Sequence, residues 1–134
     1  MLSAKAHKTS SSYPIGLLYD GDVTTIAQAG KRKSGGWMSV QVAQGTQVVR
    51  VDTYNRADAD ASLLGKFDVW VGSKAGKTSS KHATRCGSTV TAAPRLGPFS
   101  ATCSRALVGE WVTIKQSRGE SGWLTLGEIE VFTV

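Results

Sequence analysis

Histidine, cysteine and acidic side chains are scarce in this chain. Its 134 residues include two histidines, two cysteines and ten acidic residues against sixteen basic ones. Two histidines leave no Ser–His–acid set. No carboxylate pair falls in an apolar pocket, and no glycine motif of the kind that cradles phosphate is present. Catalysis is therefore not expected. The cysteines, Cys86 and Cys103, do not form the paired clusters of a zinc site. No run approaches the ~20 apolar residues of a membrane-spanning helix, so a soluble domain is expected. No basic recognition helix and no RNP-like aromatic motif occurs, which argues against nucleic acid.

What remains is a basic, glycine-rich, β-forming chain of single-domain length. The formal charge of +6 suits anionic partners such as acidic glycans or anionic lipid, and it equally serves plain solubility. Residues 1–12 read as a polar lead-in, with one domain following from 13 to 134. The opening MLSAKAHKTSSS lacks the apolar core of a signal peptide. Either the domain is cut from a longer extracellular or secretory-pathway chain, or the protein is cytosolic with free thiols. Both cysteines flank predicted strands, and a disulfide between them is the preferred reading over two buried thiols.

Period-two patterning runs through the middle of the chain. In WMSVQVA, Met38, Val40 and Val42 alternate with Ser39 and Gln41. In VVRVDTY, Val49, Val51 and Thr53 oppose Val48, Arg50, Asp52 and Tyr54. KFDVWVG sets Phe67, Val69 and Val71 against Lys66, Asp68 and Trp70, and EWVTIKQ sets Val112 and Ile114 against Trp111, Thr113 and Lys115. Short strands between Gly, Pro and Ser clusters predict an all-β antiparallel sandwich or barrel. In WLTLGEIEVFTV the inward parity switches from Leu124 and Leu126 to Ile129 and Val131. A glycine at a parity break, Gly127, predicts a β-bulge. With Glu128 beside it, that bulge offers oxygen ligands to a hard cation. The alternative is a strand crossing from core to surface.

One connection is unusual. YNRADAD carries Arg56, Asp58 and Asp60 where turns ordinarily use Gly, Asn, Pro or Ser. It is either a solvated, charged turn or a recognition platform.

The order of these motifs is similar to one known pattern: a DG turn, a W-x-x-V strand, YNR-x-D, F-x-V-x-VG, a Cys pair, G-x-W-V-T-I, and a closing LTLGEIEVF. Over residues 11–134 the chain resembles the discoidin or coagulation-factor type C superfamily, and within it the F-type lectins (fucolectin-like). The resemblance implies an eight-stranded jelly-roll β-sandwich with ligand loops at one end, working as a non-catalytic carbohydrate-binding module. It maps Arg56 and Asp58 onto the family's R-x-D sugar motif, in which an aspartate orients a planar fork of donors. Here Leu63 stands where the family has a second arginine, Ala59 and Asp60 replace its adjacent cysteines, and its histidine is absent from the loop before Trp37. That loop instead holds Lys31, Arg32 and Lys33, which would bias the site towards anionic or sulfated glycans. The resemblance also implies a structural calcium on Asp20 and Glu128, with the carbonyls of Leu17, Asp22 and Gly127 and an oxygen of Thr25. The rival functional reading is a protein-interaction or adhesion module, or an anionic-lipid binder, using the same loops.

Overall fold

The computed structural model describes residues 3–6, 15–19, 21–22, 25–29, 36–56, 61, 64–117 and 124–134. It is an antiparallel β-sandwich. One sheet orders β1 (Ser3–Ala6), β3 (Trp37–Gln41), β9 (Trp111–Gln116), β5 (Lys66–Gly72) and β6 (Ala83–Arg85), with β7 (Val90–Thr91) on the same edge of β5 as β6. The opposing sheet orders β11 (Glu128–Thr133), β4 (Gln47–Tyr54) and β8 (Phe99–Val108). A small pair, β2 (Ala27–Gln28) with β10 (Thr125–Leu126), completes the eleven strand segments seen among the described residues. Three of these are two-residue pairings, and the eight longer strands match the number expected from sequence.

Alternation builds the core. Met38 and Val40 on β3, Val112 and Ile114 on β9, and Phe67, Val69 and Val71 on β5 face inward, buried against Val48, Val51 and Ile129 of the other sheet. Burying such side chains stabilises by roughly 1.5–3 kcal/mol each. One strand departs from the expected phase. On β4 the inward residues are Val48, Val51 and Thr53, and Val49 is only half-buried. Both ladders of β4 step from Val48 directly to Arg50. Val49 is thus the extra residue of an irregularity that rotates everything before it by one position.

Gly127 also differs from expectation. It does not bulge within one last strand but separates two, ending the pairing of β10 with β2 and opening that of β11 with β4. Leu126 and Ile129 are both fully buried because each belongs to a different ladder. The Gly127 amide donates to the Tyr54 carbonyl at 2.7 Å, which fixes the passage.

Two further elements bear on function. Ser3–Ala6, read from sequence as part of a polar lead-in, is an edge strand in register with β3 from Ser3↔Gln41 to Ala6↔Met38. It extends the sheet, and Lys5 lies over the Trp111 ring at 5.3 Å. The segment 73–82 between β5 and β6 folds back over the outer face of the larger sheet. The Gly76 amide donates to Ser39 Oγ at 3.0 Å, Ser39 Oγ meets Thr113 Oγ1 at 2.6 Å, and Lys115 Nζ donates to Thr78 Oγ1 at 3.3 Å. A side chain at Gly76 would enter the Trp37 ring. The fully buried Ser39 is polar for this reason: it faces outward, under the segment.

Candidate ligand-binding pole

β4 ends at Tyr54, and the next two residues organise one pole of the sandwich. Asn55 is fully buried. Its amide donates to the Leu96 carbonyl at 2.8 Å, and its Nδ2 donates to the carbonyls of Ala61 at 2.7 Å and Ala93 at 3.2 Å. One side chain thereby ties the loop after β4 to the loop between β7 and β8. Its Oδ1 has no hydrogen-bond partner among the described residues. Gln116, also buried, adds a second tie through Nε2 to the Leu64 carbonyl at 3.2 Å. Buried amides joined to backbone carbonyls fix loops at a cost in desolvation that only satisfied geometry offsets.

Arg56 follows Asn55 and is only 6 % exposed. Its guanidinium is a planar fork of hydrogen-bond donors. The Asn55–Leu96 contact brings a second arginine to this pole, Arg95, one residue from that contact as Arg56 is on the other side. Arg95 is exposed and lies over the Phe99 ring at 4.7 Å. Sequence reading missed it. The signal was available only as a Pro94-Arg95 step in a loop enclosed by the two cysteines. Asp58, Asp60, Leu63, Lys31, Arg32 and Lys33 lie outside the described residues.

Cys86 and Cys103 form the expected disulfide, closing a separation of 17 residues. It joins the residue after β6 to β8, and so links the two sheets along one side.

The expected cation ligands are only partly within view, since Asp20 lies outside the described residues. The 3-10 turn Ile15–Tyr19, which carries the Leu17 backbone, packs against β11 and β2 and so adjoins the strand that begins with Glu128. Glu128 is buried, 2 % exposed, and directly opposite Tyr54. Asp22 is exposed, and its carbonyl accepts the Thr25 amide at 3.3 Å and Thr25 Oγ1 at 2.9 Å. Among the described residues no group of three or more His, Cys, Asp or Glu side chains is placed to hold a metal. A buried carboxylate beside a turn rich in backbone oxygen nevertheless has the hard-oxygen chemistry that calcium prefers.

The outer face of the smaller sheet is acidic around Tyr54. Asp52 and Glu130 are cross-strand partners, as are Tyr54 and Glu128. Asp52 is held by Arg50 Nε at 3.2 Å and by Ser100 Oγ at 2.7 Å, and Arg50 stacks on Phe132 at 3.9 Å. Desolvation, then the charges of Glu130 and Asp52, push the Tyr54 phenol above its ordinary value, with Arg50 opposing and Glu128 adding to the rise.

No family model matches the sequence, and no curated protein sequence matches it. Solved structures do match the fold. A mutant of the lectin-binding domain of lectinolysin, complexed with Lewis b, aligns at a TM-score of 0.81 with 19% identity, covering 99% of this chain and 92% of that one. A fucolectin (f-lectin) from striped bass (Morone saxatilis) serum aligns at 0.79 with 21% identity, covering 98% of this chain and 45% of that one. The family 32 carbohydrate-binding module of C. perfringens NanJ, in complex with galactose, aligns at 0.75 with 16% identity, covering 96% and 91%. The fold is therefore the galactose-binding-like, discoidin-type sandwich. Identities this low carry the architecture and no more.

Proposed function

We propose that the protein is a non-catalytic carbohydrate-binding module that takes its ligand at the Arg56 pole. The observation that carries this reading is Arg56, only 6 % exposed and next in sequence to Asn55, whose side chain ties the loops of this pole together. A planar donor fork suits vicinal sugar hydroxyls, which accept from neighbouring N–H groups. Arg95 supplies a second guanidinium at the pole, offsetting the apolar Leu63. The structural neighbours bind glycans, as their complexes with Lewis b and galactose state. The cationic balance of the chain extends the ligand class to acidic or sulfated glycans, with Lys31, Arg32 and Lys33 as contacts and Asp58 and Asp60 as orienting acceptors.

A structural calcium belongs to the same proposal. Glu128 and the carbonyls of Leu17 and Gly127 would hold it, with Asp20, Asp22 and Thr25 completing the set. It would pin the 3-10 turn to β11. The disulfide fits an oxidising, extracellular setting, and no helix among the described residues is long and apolar enough to cross a membrane.

A glycan array run with Arg56→Ala, Arg95→Ala and a variant neutral at positions 31 to 33 tests the reading. A neutral monosaccharide should bind in the millimolar range, since each hydrogen bond is worth only ~1 kcal/mol net. Arg56→Ala should abolish sugar-specific binding, and neutralising the three cations should remove the salt-sensitive part for acidic glycans. Glycan binding unchanged by Arg56→Ala would move the site elsewhere.

A further inference from the structure

At the opposite pole three turns meet around an open cleft of about 360 Å³, within the ~300–1,000 Å³ typical of small-molecule sites. The turn before β4 contributes Gln44, the β5–β6 segment contributes Ser73, Lys81 and His82, and the β8–β9 turn contributes Val108 and Glu110. Its floor is built by absence of side chains. A Cβ on Gly109 would lie 2.7 Å from the Gly72 carbonyl oxygen and 2.8 Å from its nitrogen, and a Cβ on Gly72 would overlap the His82 carbonyl and Ala83. Two glycines thus let the end of β5, the start of β6 and the β8–β9 turn close to backbone contact. The polar side chains stand around that floor as a rim.

The rim is chemically unspent. The side chains of Gln44, Lys81, His82 and Glu110 make no hydrogen bond or ion pair with any described residue. Folding did not need them in fixed pairs, and all four residues line one cleft. Val108 adds an apolar wall that is 64 % exposed, one of two large hydrophobic residues so exposed among the described residues. We propose that this cleft is a second saccharide site, taking a neutral pyranose.

The composition of the rim decides the ligand class. A pyranose has an apolar C–H face for Val108 and a ring of hydroxyls that both donate and accept. Glu110 accepts from such hydroxyls, Lys81 donates to them, and Gln44 does both. Glu110 and Lys81 line the same cleft with opposite formal charges, so phosphate or carboxylate ligands gain little net attraction there. No tryptophan, tyrosine or phenylalanine lines the cleft, so the stacking that a nucleobase needs is missing.

The two sites lie at the two ends of β4, whose eight residues span about 26 Å at ~3.3 Å per residue. A single copy of the chain then joins two glycans without oligomerising, and it gains avidity on any surface that offers both. This inference does not depend on the Arg56 pole, and the two fail separately.

The test is a titration of the ¹⁵N-labelled protein with D-galactose, L-fucose, D-mannose and N-acetyl-D-glucosamine in turn, each at millimolar concentration, with inorganic phosphate as a further probe. The amides of Ser73, His82 and Gly109 report the far cleft. We expect at least one sugar to shift them in the wild type and equally in Arg56→Ala. Glu110→Ala should weaken the far-pole response by about tenfold, and Val108→Asp should weaken it independently. No far-pole shift with any of the four sugars would overturn the proposal. So would a response to phosphate alone, or one that Glu110→Ala and Val108→Asp leave intact.

Discussion

The two long seams of the sandwich are closed in different ways. Along one, β8 packs against β5 and β7, and the Cys86–Cys103 disulfide bonds the sheets covalently. Along the other, the 3-10 turn Ile15–Tyr19 lies between β1 and β11 and no covalent bond crosses. Leu18 of that turn is fully buried and serves as its wedge. The first seam is held by chain connectivity, which acts largely on the unfolded ensemble. The second is held by packing in the native state, and this is where the calcium proposal places the ion. A domain built this way has one seam that reduction would open and one that rests on packing.

Leu18→Ala should have the largest effect. Emptying a fully buried leucine costs about 2–5 kcal/mol, and here it loosens the seam that has no covalent backup. Denaturant unfolding should show the lowered midpoint, while an effect below about 1 kcal/mol would mean the turn is not the wedge of that seam. Reduction of the disulfide, or the Cys86→Ser/Cys103→Ser pair, should lower stability by about 3 kcal/mol for a loop of this length. If the reduced protein melts with the native one, the covalent seam contributes nothing that packing does not already supply.

Chelation comes next. Ion at a hundredfold excess over its dissociation constant adds about 2.7 kcal/mol to the folded state. EDTA should lower the melting temperature, calcium should restore it, and Glu128→Gln should erase the difference. Superimposable melts with and without EDTA would leave the second seam to packing alone. The smallest effect is alkaline. Because the folded Tyr54 phenol titrates above its unfolded value of 10.0, its contribution is complete below that pH and is lost as pH rises towards the folded value. Tyr54→Phe should flatten the alkaline limb of stability against pH, and an unchanged limb would assign it to other groups.

Much of this architecture is legible in the sequence, and the illegible parts share a physical cause. Alternation identified the inward faces of β3, β5 and β9, because each of those strands runs without interruption between its partners. It misphased Val48 and Val49, since an extra residue in a ladder leaves no compositional trace in VVRVDTY. Gly127 was marked as special, but a glycine between two ladders and a glycine within one read alike. Ser3–Ala6 pairs through backbone groups, to which SAKA gives no clue. At the candidate site Arg56 stood out through its charge in a turn position. Arg95 did not, because only the Asn55–Leu96 contact, 41 residues apart in sequence, brings it to the same pole.

The seating of Gly76 on the Trp37 ring has an optical consequence. The indole is half-buried, capped by a segment whose two ends, Ser73 and His82, are also walls of the far cleft. Displacement of that segment exchanges backbone for water over the ring, and indole emission moves to longer wavelength when water replaces protein. The domain therefore carries its own fluorophore under a segment that hydrogen bonds hold to the sheet. If a sugar in the cleft displaces that segment, tryptophan emission should redden on titration, and the proposed second site would then be read with no label attached.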